Sequence, residues 1–114
     1  MSIERYEVGP RMSQTVVHGG VVYSAGIVAD DPAASVAEQT RQVLAKIDRL
    51  LAAAGSDKSR LLKANIWLTD IRRFEEMNGV WDAWVVAGHT PARATVEARL
   101  AGDYQVEIMV EAST

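Results

Sequence analysis

Two charged residues in the last quarter of the chain carry the chemistry it could do. Pro91-Ala92-Arg93-Ala94-Thr95-Val96-Glu97 sets an arginine where a proline-containing turn opens into a strand. Val106-Glu107-Ile108 sets a glutamate on the strand that follows, about one hairpin later. Arginine presents a planar, permanently charged fork of donors that matches a carboxylate two-to-two. A glutamate beside it can accept a proton, donate one or orient a water. Together they suggest a pocket for a small carboxylic acid with a polar centre next to it. The spacing is met equally well by an exposed Arg–Glu ion pair, which is worth little.

The elements that must position these residues follow from composition and pattern. At 114 residues, with 48% hydrophobic and 24% charged content, the chain is long enough for one core and reads as a single domain over 1–114. No apolar run approaches the roughly 20 residues of a membrane span. The start, Met1-Ser2-Ile3-Glu4-Arg5-Tyr6, lacks the profile of a signal peptide, so a cytoplasmic protein is expected. Cysteine is absent, which excludes disulfides, thiolate metal sites and cysteine nucleophiles. His18 and His89 are too few and too far apart to argue for a metal, and none is expected. A net charge of −3 argues against a nucleic-acid partner, which usually needs a basic face.

Thr15-Val16-Val17 and Val21-Val22-Tyr23-Ser24 flank His18-Gly19-Gly20 and read as a β-hairpin. Gly26, in the extended run Ala25-Gly26-Ile27-Val28-Ala29, marks a bulge or a close approach to another group. Ser35-Val36-Ala37-Glu38 is a capping box that opens a helix to about Ala54, stopped by Gly55. From Leu62 to Thr69 the pattern alternates, with Leu62, Ala64, Ile66 and Leu68 facing one way and Asn65 and Trp67 the other. Asp70 can cap a second helix, whose stripe Phe74, Met77, Trp81, Trp84 and Val85 ends by Gly88. Strands over Arg93–Leu100 and Tyr104–Glu111 complete the order β-β-α-β-α-β-β. This is an α/β (α+β) fold of two layers: a mixed sheet of four to six strands with two helices on one face. Strand parity groups Arg93, Thr95, Glu97 and Arg99 on one face. If the aliphatic sets meet the helices, the polar sets line the open face. Trp67 and Met109 on that face await a partner subunit.

In order and spacing, these pieces resemble the RidA (YjgF) family of reactive-intermediate deaminases. The resemblance runs over nearly the whole chain. It is carried by Ser13-Gln14, Glu38-Gln39-Thr40-Arg41-Gln42-Val43-Leu44, Ala53-Ala54-Gly55, Ile66-Trp67-Leu68-Thr69-Asp70, Phe74 with Met77-Asn78, Gly88-His89 through Pro91-Ala92-Arg93, and Val106-Glu107-Ile108. It implies a homotrimer of chorismate-mutase-like architecture with a ligand cleft between each pair of neighbours. It implies hydrolysis of enamines and imines, such as those from 2-aminoacrylate, to 2-oxo acids and ammonia, without metal or organic cofactor. The family's carboxylate-binding arginine falls on Arg93, its acid for the catalytic water on Glu107, its ligand-contacting strand glycine near Gly26 and its pocket asparagine on Asn78. The chain departs from the family at Met12, where a tyrosine is common, at Ile27, where a glutamine often follows the glycine, and at Thr95, where a cysteine is frequent. These departures bear on substrate preference. They keep open a second function, a trimeric binding protein for 2-oxo acids or related carboxylates without turnover. Gly26 as a plain bulge, and Asn78 as a helix polar group bonded to backbone, are the structural alternatives.

Overall fold

Gly19 and Gly20, with φ of 60° and 77°, form the tight turn between Ser13–His18 (β2) and Val21–Ser24 (β3). Two-residue turns with both central φ positive match the twist of antiparallel strands. The computed structural model describes residues 1–114. A strand that the pattern does not announce, Glu4–Val8 (β1), pairs antiparallel with β2. It lies at the sheet edge with only Tyr6 against the core, so no alternation marks it. Glu7 in this strand is the one non-glycine residue with positive φ, 50°, and its carboxylate holds Arg49 at 2.8 Å.

Ser35 caps the first helix, Val36–Ala53 (α1), by accepting from the Glu38 amide at 3.1 Å. The other half of the capping box goes elsewhere: the Glu38 carboxylate pairs with Arg41. Val43, Leu44, Ile47, Leu50 and Leu51 on the inner stripe of α1 are fully buried. Each such side chain contributes roughly 1.5–3 kcal/mol of burial. Gln39 is also fully buried, and it acts as a clamp. Its amide donates to the carbonyls of Pro32 and Ala34 and accepts from the Gln105 amide at 2.9 Å.

Leu61–Leu68 (β4) starts one residue earlier than the alternation suggests. A bulge between Leu61 and Lys63 resets the parity, so Leu61 is buried and Leu62 is turned outward. From Ala64 onward the inward set is as expected. Asp70 caps a single 3-10 turn, Ile71–Arg73, that runs into the second helix, Phe74–Trp84 (α2). The Asp70 carboxylate takes the Arg72 side chain and amide, all at 3.0 Å, and those bonds hold it below the usual carboxylate range. The helix stops at Trp84 rather than near Gly88, because the β-branched pair Val85-Val86 turns extended at Val85, with ψ 155°.

Ala92–Glu97 (β5) and Val106–Ser113 (β6) follow, and the sheet order is β1-β2-β3-β6-β4-β5. β5 runs parallel to β4, with α2 as the crossover, while β6 lies antiparallel between β3 and β4. Both helices lie on one face of this mixed six-stranded sheet, whose Val22, Ala64, Ile66, Leu68, Val106, Ile108, Val110 and Ala112 form the core with them. The opposite face carries Tyr23, Trp67, Val96 and Met109 with no layer over it. No helix is long and apolar enough to cross a membrane.

Candidate functional site

Register decides where the two charges point. Arg93 stands opposite Ala64, which stands opposite Val110, and both of those are buried in the core on the helix face. Residues paired across strands share a face, so Arg93 lies on the helix side of the sheet. Glu107 stands opposite Trp67, which stands opposite Val96, in a row on the uncovered face. The sequence reading is therefore corrected twice. β5 and β6 are not a hairpin, because β4 separates them. The polar set of β5 faces α2, not the open side, because α2 offers aromatic rings there and the aliphatic Val96 takes the outward position. Two strands and three residues separate Arg93 from Glu107, roughly 14 Å with the sheet between them.

Arg93 is half-buried against α2. Its guanidinium carbon sits 5.6 Å from the Phe74 ring centroid and 5.3 Å from that of Trp81. The arginine makes no ion pair and no hydrogen bond with its side chain. Asn78 falls between Phe74 and Trp81 on the same stripe of α2, and its Oδ1 is buried without a partner. Thr95, two residues beyond Arg93 on the same face, also has a buried hydroxyl without a partner. Arginine and threonine on the inner face of β5 and asparagine on the stripe of α2 that covers Arg93 thus all have unmet hydrogen-bonding capacity.

Glu107 belongs to a different place. The Ala25–Ile27 segment bridges two strands: the Ala25 amide donates to Gln14, and Ile27 exchanges two bonds with Ile108. Gly26 between them makes no backbone hydrogen bond, and a Cβ there would overlap the Glu107 carboxylate. Of the two meanings open to Gly26, close approach is the one found. Glu107 has neither an ion-pair nor a hydrogen-bond partner. Met12, Gln14, Gly26 and Ile27 also line a cleft of about 630 Å³ with Lys46, Arg49 and Leu50 of α1, and Glu107 is not part of its lining. Lys46 and Asp30 pair on its wall at 2.7 Å, and Lys46 also holds the Val28 carbonyl. Ile27 is itself buried, whereas Met12 is 53% exposed on the rim.

One subunit thus sets Asn78 on the helix stripe that covers Arg93, and Gly26 against Glu107. Ile27 and Met12 are not brought to Glu107: they line the neighbouring cleft on the α1 side of the sheet, which Glu107 does not reach. Glu97, on the expected polar face of β5, instead accepts from the Ile71 amide at 3.0 Å. The sequence pattern places Phe74 and Trp81 on the apolar stripe of the second helix and gives them no role beside Arg93. Their i, i+7 spacing around Asn78 was the available signal. No group of three or more His, Asp or Glu side chains converges as a metal site would require. A further groove, lined by Leu44, Val80 and Trp84 between α1 and α2, holds none of these residues.

The family model described as endoribonuclease L-PSP matches residues 3–114. The chain belongs to that family, also known by the names YjgF, RutC and Rid. It is 45% identical over 114 residues to the RutC family protein YoaB of Escherichia coli, covering 99% of each chain. It matches the crystal structure of a YjgF family member from Neisseria meningitidis at a TM-score of 0.97 and 50% identity, covering 100% of this chain and 96% of that one. A Yersinia pestis protein of the conserved Rid family, whose function is described as unknown, matches at 0.87 and 32%, with 94% and 90% covered. The two-layer fold with its six-stranded sheet is the fold of this YjgF family.

Proposed function

We propose that this YjgF family protein is an enzyme that hydrolyses reactive 2-imino acids to 2-oxo acids and ammonia, at clefts between the subunits of a homotrimer. The observation that carries the reading is the Arg93 guanidinium. It is half-buried, held over two rings and left with all its donors unpaired. A cation so placed suits a ligand carboxylate, which it would grip two-to-two. Water then adds across the substrate C=N bond, and the resulting aminoalcohol expels ammonia to leave the 2-oxo acid. Glu107 orients the water, takes its proton and returns it to the departing nitrogen. Gly26, with a free amide and carbonyl beside that carboxylate, gives the ligand a backbone contact. Ile27, buried next to Gly26, and Met12, exposed nearby, bound the approach to Gly26, and Asn78 stands on the helix stripe that covers the anchor. No cofactor is called on.

The split supports a site shared between subunits. Arg93 and Glu107 lie on opposite faces of one sheet, so a single ligand touches both only if each comes from a different copy. The uncovered face, with Trp67, Met109, Val96 and Tyr23, gives copies a surface to meet on.

A second reading, a binding protein for 2-oxo acids that does not turn them over, is favoured by the cleft lining. Met12 and Ile27 stand there, and none of the lining side chains carries a hydroxyl. The charge distribution speaks against RNA cleavage, the activity named in the family's description. The net charge is −3, and the open face interleaves Lys63 with Glu107 and Glu111.

The deciding experiment supplies imine from an amino-acid oxidase or a serine/threonine dehydratase and traps it with semicarbazide, with and without protein. Wild type should suppress semicarbazone formation, and Arg93→Ala at equal concentration should not. Saturable 2-oxobutyrate binding without any suppression would transfer the assignment to the binding protein.

A further inference from the structure

We infer that Phe74 and Trp81 are positioning residues: together they seat the Arg93 guanidinium and fix the direction in which it presents its donors. The inference deepens the proposed function and rests on it only for the identity of the ligand.

An arginine side chain carries about 2 kcal/mol of rotamer entropy, lost when its head is fixed. A surface arginine waiting for a carboxylate must lose it on binding. Here two rings already restrain the head. The guanidinium lies within 6 Å of two ring centroids, 5.6 Å at Phe74 and 5.3 Å at Trp81, the range in which ring quadrupole and cation attract. The rings stand seven residues apart on one stripe of α2, so they hold the head at two points rather than one. This attraction to the rings uses none of the guanidinium N–H donors on a hydrogen-bond acceptor and leaves them for a ligand.

The seat is itself buttressed. Trp81 is 5% exposed and meets Trp84 at 5.3 Å between centroids with a 50° tilt. The Trp84 indole N–H is fixed by the Asp48 carboxylate of α1 at 3.0 Å, and Lys58 lies over the Trp84 ring. A chain of contacts therefore runs from α1 through both indoles to the arginine on the edge strand. A lysine could not use this seat in the same way, because a tetrahedral ammonium has no face to stack and no fork to present.

The test uses purified full-length protein with Phe74→Leu, Trp81→Leu and Trp81→Phe, and reads two signals. The first is the Arg93 Nε–H resonance in ¹⁵N NMR, assigned with Arg93→Lys, without ligand. Ring currents should displace it in wild type and in Trp81→Phe. In the leucine variants it should move toward the position of a free arginine. The second is affinity for 2-oxobutyrate by calorimetry, with KM and kcat for imine loss. Losing one ring should raise Kd and KM roughly three- to tenfold with kcat within about twofold, while Trp81→Phe restores both. Thermal midpoints are followed in parallel. Should Trp81→Leu fail to fold, Phe74→Leu, whose ring is only half-buried, carries the test. An unmoved resonance with unchanged affinity in Phe74→Leu overturns the inference. So does a fall in kcat that tracks lost stability at constant KM. If wild type neither binds 2-oxobutyrate nor consumes imine, the functional reading fails. The resonance then decides the seat by itself.

Discussion

The two halves of the candidate site are built by opposite means. Arg93 sits on an edge strand, and nothing in the sheet beyond it steadies the backbone. It is steadied instead from above, by aromatic side chains of α2. Glu107 sits on a central strand bonded on both sides, and no side chain holds its carboxylate. It is accommodated from beside, by the missing Cβ of Gly26. One half spends bulk on orientation, and the other removes bulk to make room. Opposite charges that could have satisfied each other are kept on opposite faces, so neither neutralises the other within one subunit.

The sharpest way to break this comparison is to disable each half in turn. Arg93→Ala and Glu107→Gln should each lower imine consumption roughly 10²-fold or more, by analogy with the loss of one oxyanion donor. Mixing the two inactive proteins after co-refolding discriminates further. Random assembly leaves about a quarter of the sites with an intact arginine from one copy and an intact glutamate from its neighbour, so about a quarter of the activity should return. No recovery would place the whole site within one subunit.

Gly26→Ala tests the second half alone. The added methyl meets only the flexible end of Glu107. Activity should fall about tenfold or more while the thermal midpoint barely moves, because displacing one catalytic group costs rate rather than packing. In a Glu107→Ala background the same change should have no further effect on ligand affinity.

Thr95→Val bears on the first half. Its hydroxyl is buried without a partner, so the isosteric apolar variant should gain about 1 kcal/mol in urea unfolding at unchanged m. A loss of 2-oxobutyrate affinity in that variant would instead make the hydroxyl a ligand contact. The smallest effect is at the entry to α2. Arg72 bonds hold Asp70 below its ordinary value, so its contribution is complete above the unfolded carboxylate range and lost as pH falls toward the folded value. Comparing wild type with Asp70→Asn, the stability difference should be present at neutral pH, begin to shrink only below about pH 4 and disappear once the pH is under the folded-state value.

Much of this was legible in the residues. The Gly19-Gly20 turn, the Ser35 cap, the α1 stripe and the alternation from Ala64 to Leu68 follow from local rules, and each is found. Leu62 was misread because a bulge shifts parity without a glycine or proline to mark it. β1 was missed because an edge strand exposed on both faces has no period. Arg93 was placed on the wrong face for a deeper reason. Alternation says which residues share a side, but not which side the helices cover. An arginine beneath a helix is credible only once Phe74 and Trp81 are known to lie above it. The family resemblance supplied the residue; the seat came from tertiary structure.

The position of β6 has a consequence for how the molecule is made. It is the last of the six strands in the sequence, yet it lies between β3 and β4 and bonds to both. On the ribosome, β1–β3 and β4–β5 emerge as separate pieces, each with an open edge, until the final segment slots between them. That same segment carries Glu107. The newborn chain therefore has Arg93 on β5 before Glu107, which arrives with β6 in the step that seals the sheet.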